Sequence, residues 1–283
     1  MLWTPPRIPG SVVSALILVV AAVVLSAAPA LAPPALAQSL WMPRDHAAAG
    51  MLEVLKPVYD DIDEEFPTFS SFIGLRSKPK DKVSIVAEAS LARFGFEDIS
   101  SFSLGNVYLG VEYGKSAGPW FGEFGVRVPT SSEGEIEARI LTGYLSDLVR
   151  QEAWLSKTVT FQGAVNLRRA MPNGLYYRLR LSPSVVASTQ DTGGDDVELF
   201  AIYSGQIGME APSVRAGVGL IARTWITESD LEGFSGRTQT QLDAHLDFCS
   251  GALRPGIEVK TLLDDELNDI VPVTVGVSLS YSK

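Results

Sequence analysis

Over most of the chain apolar residues fall at every second position, and turn chemistry interrupts them at intervals. Val83, Ile85, Ala87, Ala89 and Leu91 share one face, while Ser84, Glu88 and Ser90 share the other. Val159, Phe161, Val165 and Leu167 alternate with Thr160, Gln162, Asn166 and Arg168. Leu175, Tyr177, Leu179 and Leu181 alternate with Tyr176, Arg178 and Arg180, and Leu242, Ala244, Leu246 and Phe248 with Gln241, Asp243, His245 and Asp247. Val271, Val273, Val275, Val277, Leu279 and Tyr281 close the series against Thr274, Ser278 and Ser280. Successive side chains on a strand point to opposite faces, so a period of two predicts strands. Soluble strands average about five or six residues. Many of these runs are longer, as strands tilted across a bilayer with one apolar face must be.

Strands are expected near 50–59, 69–78, 82–95, 103–114, 118–130, 158–169, 174–188, 195–209, 213–227, 237–249, 253–263 and 270–282. Short connections at 78–81, 115–118, 170–173, 210–212 and 250–252 follow every second strand, and the others are longer. Short periplasmic turns, long outer loops and an even strand number characterise outer-membrane barrels. The expected fold is all-β, an antiparallel transmembrane β-barrel of about twelve strands. One segment departs from it. Ile136, Ile140, Leu141, Tyr144, Leu145, Leu148 and Val149 are spaced three and four apart, which predicts an amphipathic helix over 135–149 in a long loop. Folded inward, that helix constricts the barrel; left outside, it caps it.

The N-terminus adds an export signal. Arg7, the apolar stretch from Ser14 to Leu25 and the small residues at Ala35-Leu36-Ala37 have the order of a cleavable signal peptide. Pro29, Pro33 and Pro34 interrupt it where a membrane anchor would continue. The expected organisation is a signal peptide over 1–37, a leader over 38–49 and the barrel over 50–283, placed in a bacterial outer membrane. Beyond the signal no apolar run approaches the roughly 20 residues of a spanning helix. The net charge of −10 argues against a nucleic-acid partner. Cys249 is the single cysteine, so no intrachain disulfide forms.

Strand phase assigns the two faces. Ile73, Leu75, Val83, Ile85, Val107, Leu109, Val111, Trp120, Phe124, Val126, Leu179, Leu199, Val218, Leu220, Ile257 and Val259 fall on the lipid side. Tyr113, Trp120, Phe94, Phe248 and Tyr281 sit near strand ends, as in an aromatic girdle. The opposite face is charged, with Arg127, Arg168, Arg178, Arg180, Arg215 and Arg223 set against Glu88, Glu112, Glu123, Asp243, His245 and Asp247 as the candidate pore lining. Arg76, Arg254, Lys260, Glu198 and Glu258 share that phase. A dry core does not tolerate such a face, because unpaired buried charge is very costly. It suits either a wet lumen or a salt-bridged plug, and a barrel of this size lies between filled and open ones. The long loops are acidic, from Asp60, Asp61, Asp63, Glu64 and Glu65 in the first to Asp264, Asp265, Glu266 and Asp269 in the last, without a calcium-loop pattern.

Leu104-Gly-Asn-Val-Tyr-Leu-Gly-Val-Glu-Tyr113, followed by Phe124-Gly-Val-Arg-Val-Pro-Thr130, resembles a bacterial family of outer-membrane channel proteins named for the meta-pathway of phenol degradation. Asn106 stands where the family usually has Asp, and Ser131 where it has Gly. The resemblance implies a channel for small compounds, apolar or aromatic ones among them, and transfers no catalytic residue. Outer-membrane phospholipases resemble the chain in gross architecture, but they use a histidine–serine pair on the lipid-facing wall. Here the histidines are His46, ahead of the strands, and His245, in luminal phase, with no serine marked by a motif. No metal-ligand spacing, phosphate loop or dinucleotide fingerprint is present, so no catalytic residue, cofactor or metal is expected. The partners expected are outer-membrane lipids and a small-molecule solute. A structural or adhesive barrel with a plugged lumen is the alternative, with an outer-membrane lipid hydrolase and a soluble periplasmic β-sandwich as further ones. The oligomeric state stays open.

Overall fold

The computed structural model describes residues 48–59, 68–96, 99–115, 118–131, 136–190, 197–227, 236–249 and 251–282. The expected signal peptide, His46 and most of the acidic loop residues lie outside them. Thirteen strands are described: β1 (Ala48–Val58), β2 (Phe69–Lys80), β3 (Val83–Phe96), β4 (Ile99–Leu104), β5 (Val107–Tyr113), β6 (Trp120–Val128), β7 (Thr158–Ala170), β8 (Leu175–Ser188), β9 (Val197–Glu210), β10 (Val214–Trp225), β11 (Thr238–Phe248), β12 (Leu253–Leu262) and β13 (Val273–Ser282). Each pairs antiparallel with its sequence neighbour or with the first or last strand, and β1 pairing with β13 closes the ring. β4 and β5 both pair with β3, at 91–96 and 83–88 respectively, and so form one broken wall strand. The molecule is a closed antiparallel barrel of twelve wall strands.

The break was not expected in a strand over 103–114, and it has a local cause. At Gly105-Asn106 the backbone leaves the ladder: Asn106 N donates to Ala153 O at 2.6 Å, in a segment inside the barrel. A Cβ at Gly105 would lie 2.1 Å from Ser90 Oγ and 2.8 Å from Ala153 O, so only glycine lets the wall and that segment approach so closely.

Burial follows strand phase. Outward side chains such as Phe124 (62% exposed), Trp120 (59%) and Ile257 (51%) form an apolar belt. Water does not suit a belt of that extent and hydrocarbon does. Inward side chains such as Arg127 (1%), Glu88 and Arg180 are buried. Phe94 is a correction: its phase matches Ser90 and Ala92, so it points inward and packs edge-on against Tyr59, not in an outer girdle. Val271 is another, because it precedes β13 and turns into the interior.

The helical segment also differs from a single helix over 135–149. It comprises a π helix, α1 (Glu137–Tyr144), and a 3-10 helix, α2 (Leu148–Trp154). Asp147 separates them: its backbone is extended and its carboxylate accepts from Val149 N at 2.9 Å, capping α2. α1 buries Ala138, Arg139, Thr142 and Gly143, while Ile136 is exposed. Leu141 and Tyr144 of the expected apolar stripe are partly buried against the same core. A Cβ on Gly143 would lie 2.3 Å from the Trp154 ring, so this contact excludes any larger residue. A third, four-residue helix, α3 (Asp265–Asn268), precedes β13.

Candidate functional site: the plugged interior

The α1–α2 segment lies inside the barrel. Leu145, Ala153 and Trp154 pack with Leu55, Phe72, Ala92 and Phe94 of β1 to β3, while Leu148 and Val149 pack with Ile202 and Ile221 of β9 and β10. Contacts on such different parts of the wall place the segment across the lumen. Polar ties complete the fit. Ser146 Oγ meets Ser70 Oγ at 2.6 Å, Leu148 N donates to Gln241 Oε1 at 2.8 Å, and Tyr59 OH donates to Leu141 O at 3.0 Å.

Between the two apolar contacts lies an ionic knot. Asp147 Oδ2 accepts from Arg150 Nε at 2.9 Å and from Lys260 Nζ at 2.8 Å. Arg150 also donates to Glu53 of β1, approaches Glu88 of β3 at 3.8 Å and stacks on the Phe72 ring at 3.6 Å. Burial acts to raise the Asp147 pKa, but the Arg150 and Lys260 charges outweigh it and hold the carboxyl below the usual range. On the facing wall Arg223 donates to Gln151 Oε1 at 2.8 Å and Glu152 Oε1 at 3.1 Å, and stacks over Phe200 at 3.7 Å. Breaking one partner of such a pair leaves an uncompensated buried charge, which typically costs about 3–5 kcal/mol.

The exit of the plug is held at the wall break. Asn106 Nδ2 donates to Glu152 O at 3.2 Å and to Leu155 O at 2.6 Å. Its Oδ1 accepts from Thr130 N and Ser131 N, both at 3.1 Å. Thr130 Oγ1 donates in turn to Gly105 O at 2.9 Å. The Gly-Asn and Pro-Thr motifs therefore meet in space, and together they clamp the chain that leaves α2.

All twelve candidate lining residues point inward, but they divide into separate groups. Arg127 and Glu88 pair at 2.5 Å beside the plug, with Arg127 also donating to Asn106 O, and Arg223 holds α2. Arg180 pairs with Glu123 at 2.7 Å, while Tyr108 OH donates to the other Glu123 oxygen at 2.8 Å. Tyr108 can lie flat there because Gly110 and Gly125 carry no Cβ to meet its ring. Glu112 accepts from Arg76 at 2.9 Å. Toward the short turns Arg168 pairs with Glu210 at 3.3 Å and Arg215 with Asp247 at 3.7 Å. Both guanidinium groups flank Tyr176, whose hydroxyl is 3.4 Å from His245 Nε2. Arg178 donates to Asn166 Oδ1 at 2.9 Å. Asp243 lies on β11 apart from these groups.

Several participants were not among the expected lining. Glu53 is hidden because its neighbours on the inner face of β1, Met51 and Leu55, are apolar, and Leu55 packs against the plug. Asp147 falls on the polar side of the helix expected over 135–149, while Arg150 and Glu152 lie just beyond it, in a short polar run between Val149 and Trp154. Asn106 was visible only as part of a motif.

No protein-family model matches the sequence, and no curated protein matches it. Solved structures do. The COG4313 outer membrane channel from Pseudomonas putida F1 aligns over 88% of this chain and 97% of that one, with a TM-score of 0.57 at 10% identity. The NanC porin aligns over 84% of this chain and all of that one, at TM-score 0.52 and 12% identity. LpxR from Salmonella typhimurium aligns over 83% of this chain and all of that one, at TM-score 0.50 and 10% identity. At such identities the likeness shows the outer-membrane barrel fold, which hosts more than one activity.

Proposed function

We propose that the protein is an outer-membrane channel or transporter for small molecules, and that the α1–α2 segment sets its bore. The observation that carries this reading is the inner face, which bears buried charges from the short turns to the plug inside an apolar outer belt. An apolar core does not tolerate charges at that density, and where they are not paired with one another they call for water or solute. Arg168, Arg178, Arg180 and Arg215 on β7, β8 and β10 line the path on the short-turn side of the plug, and Arg223 meets the plug itself. Two of the structural neighbours are a channel and a porin, which agrees with this reading. The motif resemblance suggests the same role, with small apolar or aromatic compounds as a solute class. On this reading the chain is exported to the bacterial outer membrane and meets its lipids there, and it performs no catalysis. His245 points to the interior beside Tyr176, away from any lipid substrate.

The test is planar-bilayer conductance of refolded residues 38–283, with heat-modifiable gel mobility as the folding control. Discrete ionic steps are expected. A folded barrel that never conducts, even with α1–α2 replaced by a short flexible linker, rejects the channel. A barrel that conducts only after that replacement favours the second reading, a structural barrel closed by its plug. The multiple ties of Asp147, Arg150 and Asn106 favour that second reading.

A further inference from the structure

Lys260 faces more negative charge than it can neutralise. Its Nζ lies 3.1 Å from Glu53, 2.8 Å from Asp147 and 3.3 Å from Glu258. Arg150 serves Glu53 and Asp147 as well, and Glu88 is matched by Arg127. Asp243, which is 3% exposed, has no cation of the described residues within 4.0 Å and accepts no hydrogen bond at Oδ1. Glu258 accepts no hydrogen bond at either oxygen. Glu53, Asp147 and Glu258 thus share two cations, Arg150 and Lys260, and Asp243 lies within 4.0 Å of neither.

The two undersupplied carboxylates are neighbours. Asp243 pairs across the sheet with Lys260, and His245 with Glu258. Asp243 and Glu258 therefore stand on a diagonal of the inner face, about 7–8 Å apart at the backbone. The strands on either side carry no side chains at this level. Gly219 of β10 stands beside Asp243 and Gly276 of β13 beside Glu258. A Cβ on Gly276 would lie 2.5 Å from Glu258 Cγ, so glycine lets the glutamate lean over that strand. The nearby groups that could intervene are otherwise engaged: His245 meets Tyr176, and Arg215 pairs with Asp247.

The geometry points to a cation subsite at Asp243 and Glu258, between the plug and the β11–β12 wall, which takes the ammonium group of a small solute. A buried carboxylate either keeps its proton or takes a counterion, and a cation that reaches these two would displace the proton. Asp243 Oδ1 and Glu258 Oε1 face no donor, Glu258 Oε2 has only the Lys260 ammonium at 3.3 Å, and a primary ammonium carries N–H donors enough for all of them. Among the described residues no three His, Cys, Asp or Glu side chains converge as a metal site, which directs the choice to an organic cation. This inference rests on the reading of the interior as a solute path, because the cation must reach the site from water.

The probe is methylammonium chloride, compared with tetramethylammonium chloride at equal ionic strength. The readout is the temperature at which the refolded barrel loses its heat-modifiable gel mobility. The expected result is a concentration-dependent upward shift with methylammonium alone, absent in Asp243→Asn/Glu258→Gln. Asp243→Asn by itself should fold at least as well as the parent and lose most of the shift, so a misfolded double variant leaves the test intact. Equal behaviour in the two salts, or a shift that survives both substitutions, overturns the subsite. The readout needs no current. A barrel that shows the shift without conducting keeps the subsite and rejects the channel, and a conducting barrel without the shift does the reverse.

Discussion

Replacing Asn106 by Ala removes the four side-chain hydrogen bonds that join the wall break to the plug exit and to the Thr130-Ser131 backbone. The backbone bond from Asn106 N to Ala153 O remains. At about 0.5–1.5 kcal/mol net for each bond, the loss is about 2–6 kcal/mol. The wall ladders do not pass through these bonds, so the loss should appear as local release of α2 and not as collapse of the barrel. Even the lower figure raises the released population about 30-fold, at a factor of ten for each 1.4 kcal/mol. Hydrogen exchange of amides 148–155, followed by mass spectrometry on the refolded variant, reads that population directly. Exchange there should accelerate by at least that factor while heat-modifiable mobility stays normal. Asn106→Asp separates the two halves of the clamp. It keeps the bonds accepted from Thr130 and Ser131, loses the two donated ones, and sets a negative charge against two carbonyl oxygens. It should release α2 at least as readily as Ala. Unchanged exchange in a folded Asn106→Ala barrel would refute the clamp.

Gly143→Ala should displace α1 from Trp154, because its Cβ would meet the ring at 2.3 Å; a red shift and faster quenching of tryptophan fluorescence would register it, and an unaltered spectrum would count against the packing. Arg178→Ser/Arg180→Ser should move the zero-current potential in a salt gradient toward cation preference, since two inward guanidinium groups are lost from β8; unchanged selectivity would sink their place on the path. Asp147 supplies a pH test. Its folded pKa lies below its unfolded value of about 3.9, so its stabilising contribution is complete above that value and is lost only as pH falls further, through the folded value. As far as this carboxylate governs docking, proteolysis of the 137–154 segment should therefore be no faster at pH 5 than at pH 7.5, and Asp147→Asn should be faster than the parent at both.

The barrel was legible because strand periodicity is local. Each wall residue faces either lipid or the interior, and the chain must alternate its chemistry to satisfy both, so Ile85 and Glu88 declare their faces without knowledge of any other strand. The short connections gave the hairpin order for the same reason: a tight turn such as Asn173-Gly174, where Gly174 takes φ +85° and Asn173 Oδ1 accepts from Leu175 N, is written in adjacent residues. Less could be read where one strand face meets something other than lipid or water. Phe94 and Leu55 point inward although they are apolar, because the plug covers them, and nothing near them in sequence announces it.

The amino-acid sequence by itself determined the all-β class, the alternation of faces and a helical interruption after the fifth wall strand, since all three depend on interactions within a few residues. Only the tertiary structure decided that the interruption turns inward, that Asp147 divides it, and that Gly105-Asn106 breaks a wall strand to hold it. Those outcomes depend on pairings such as Lys260 with Asp147 and Asn106 with Leu155, between residues distant along the chain. A single side chain carries no record of which remote charge will neutralise it, and closure of the ring brings those partners within reach.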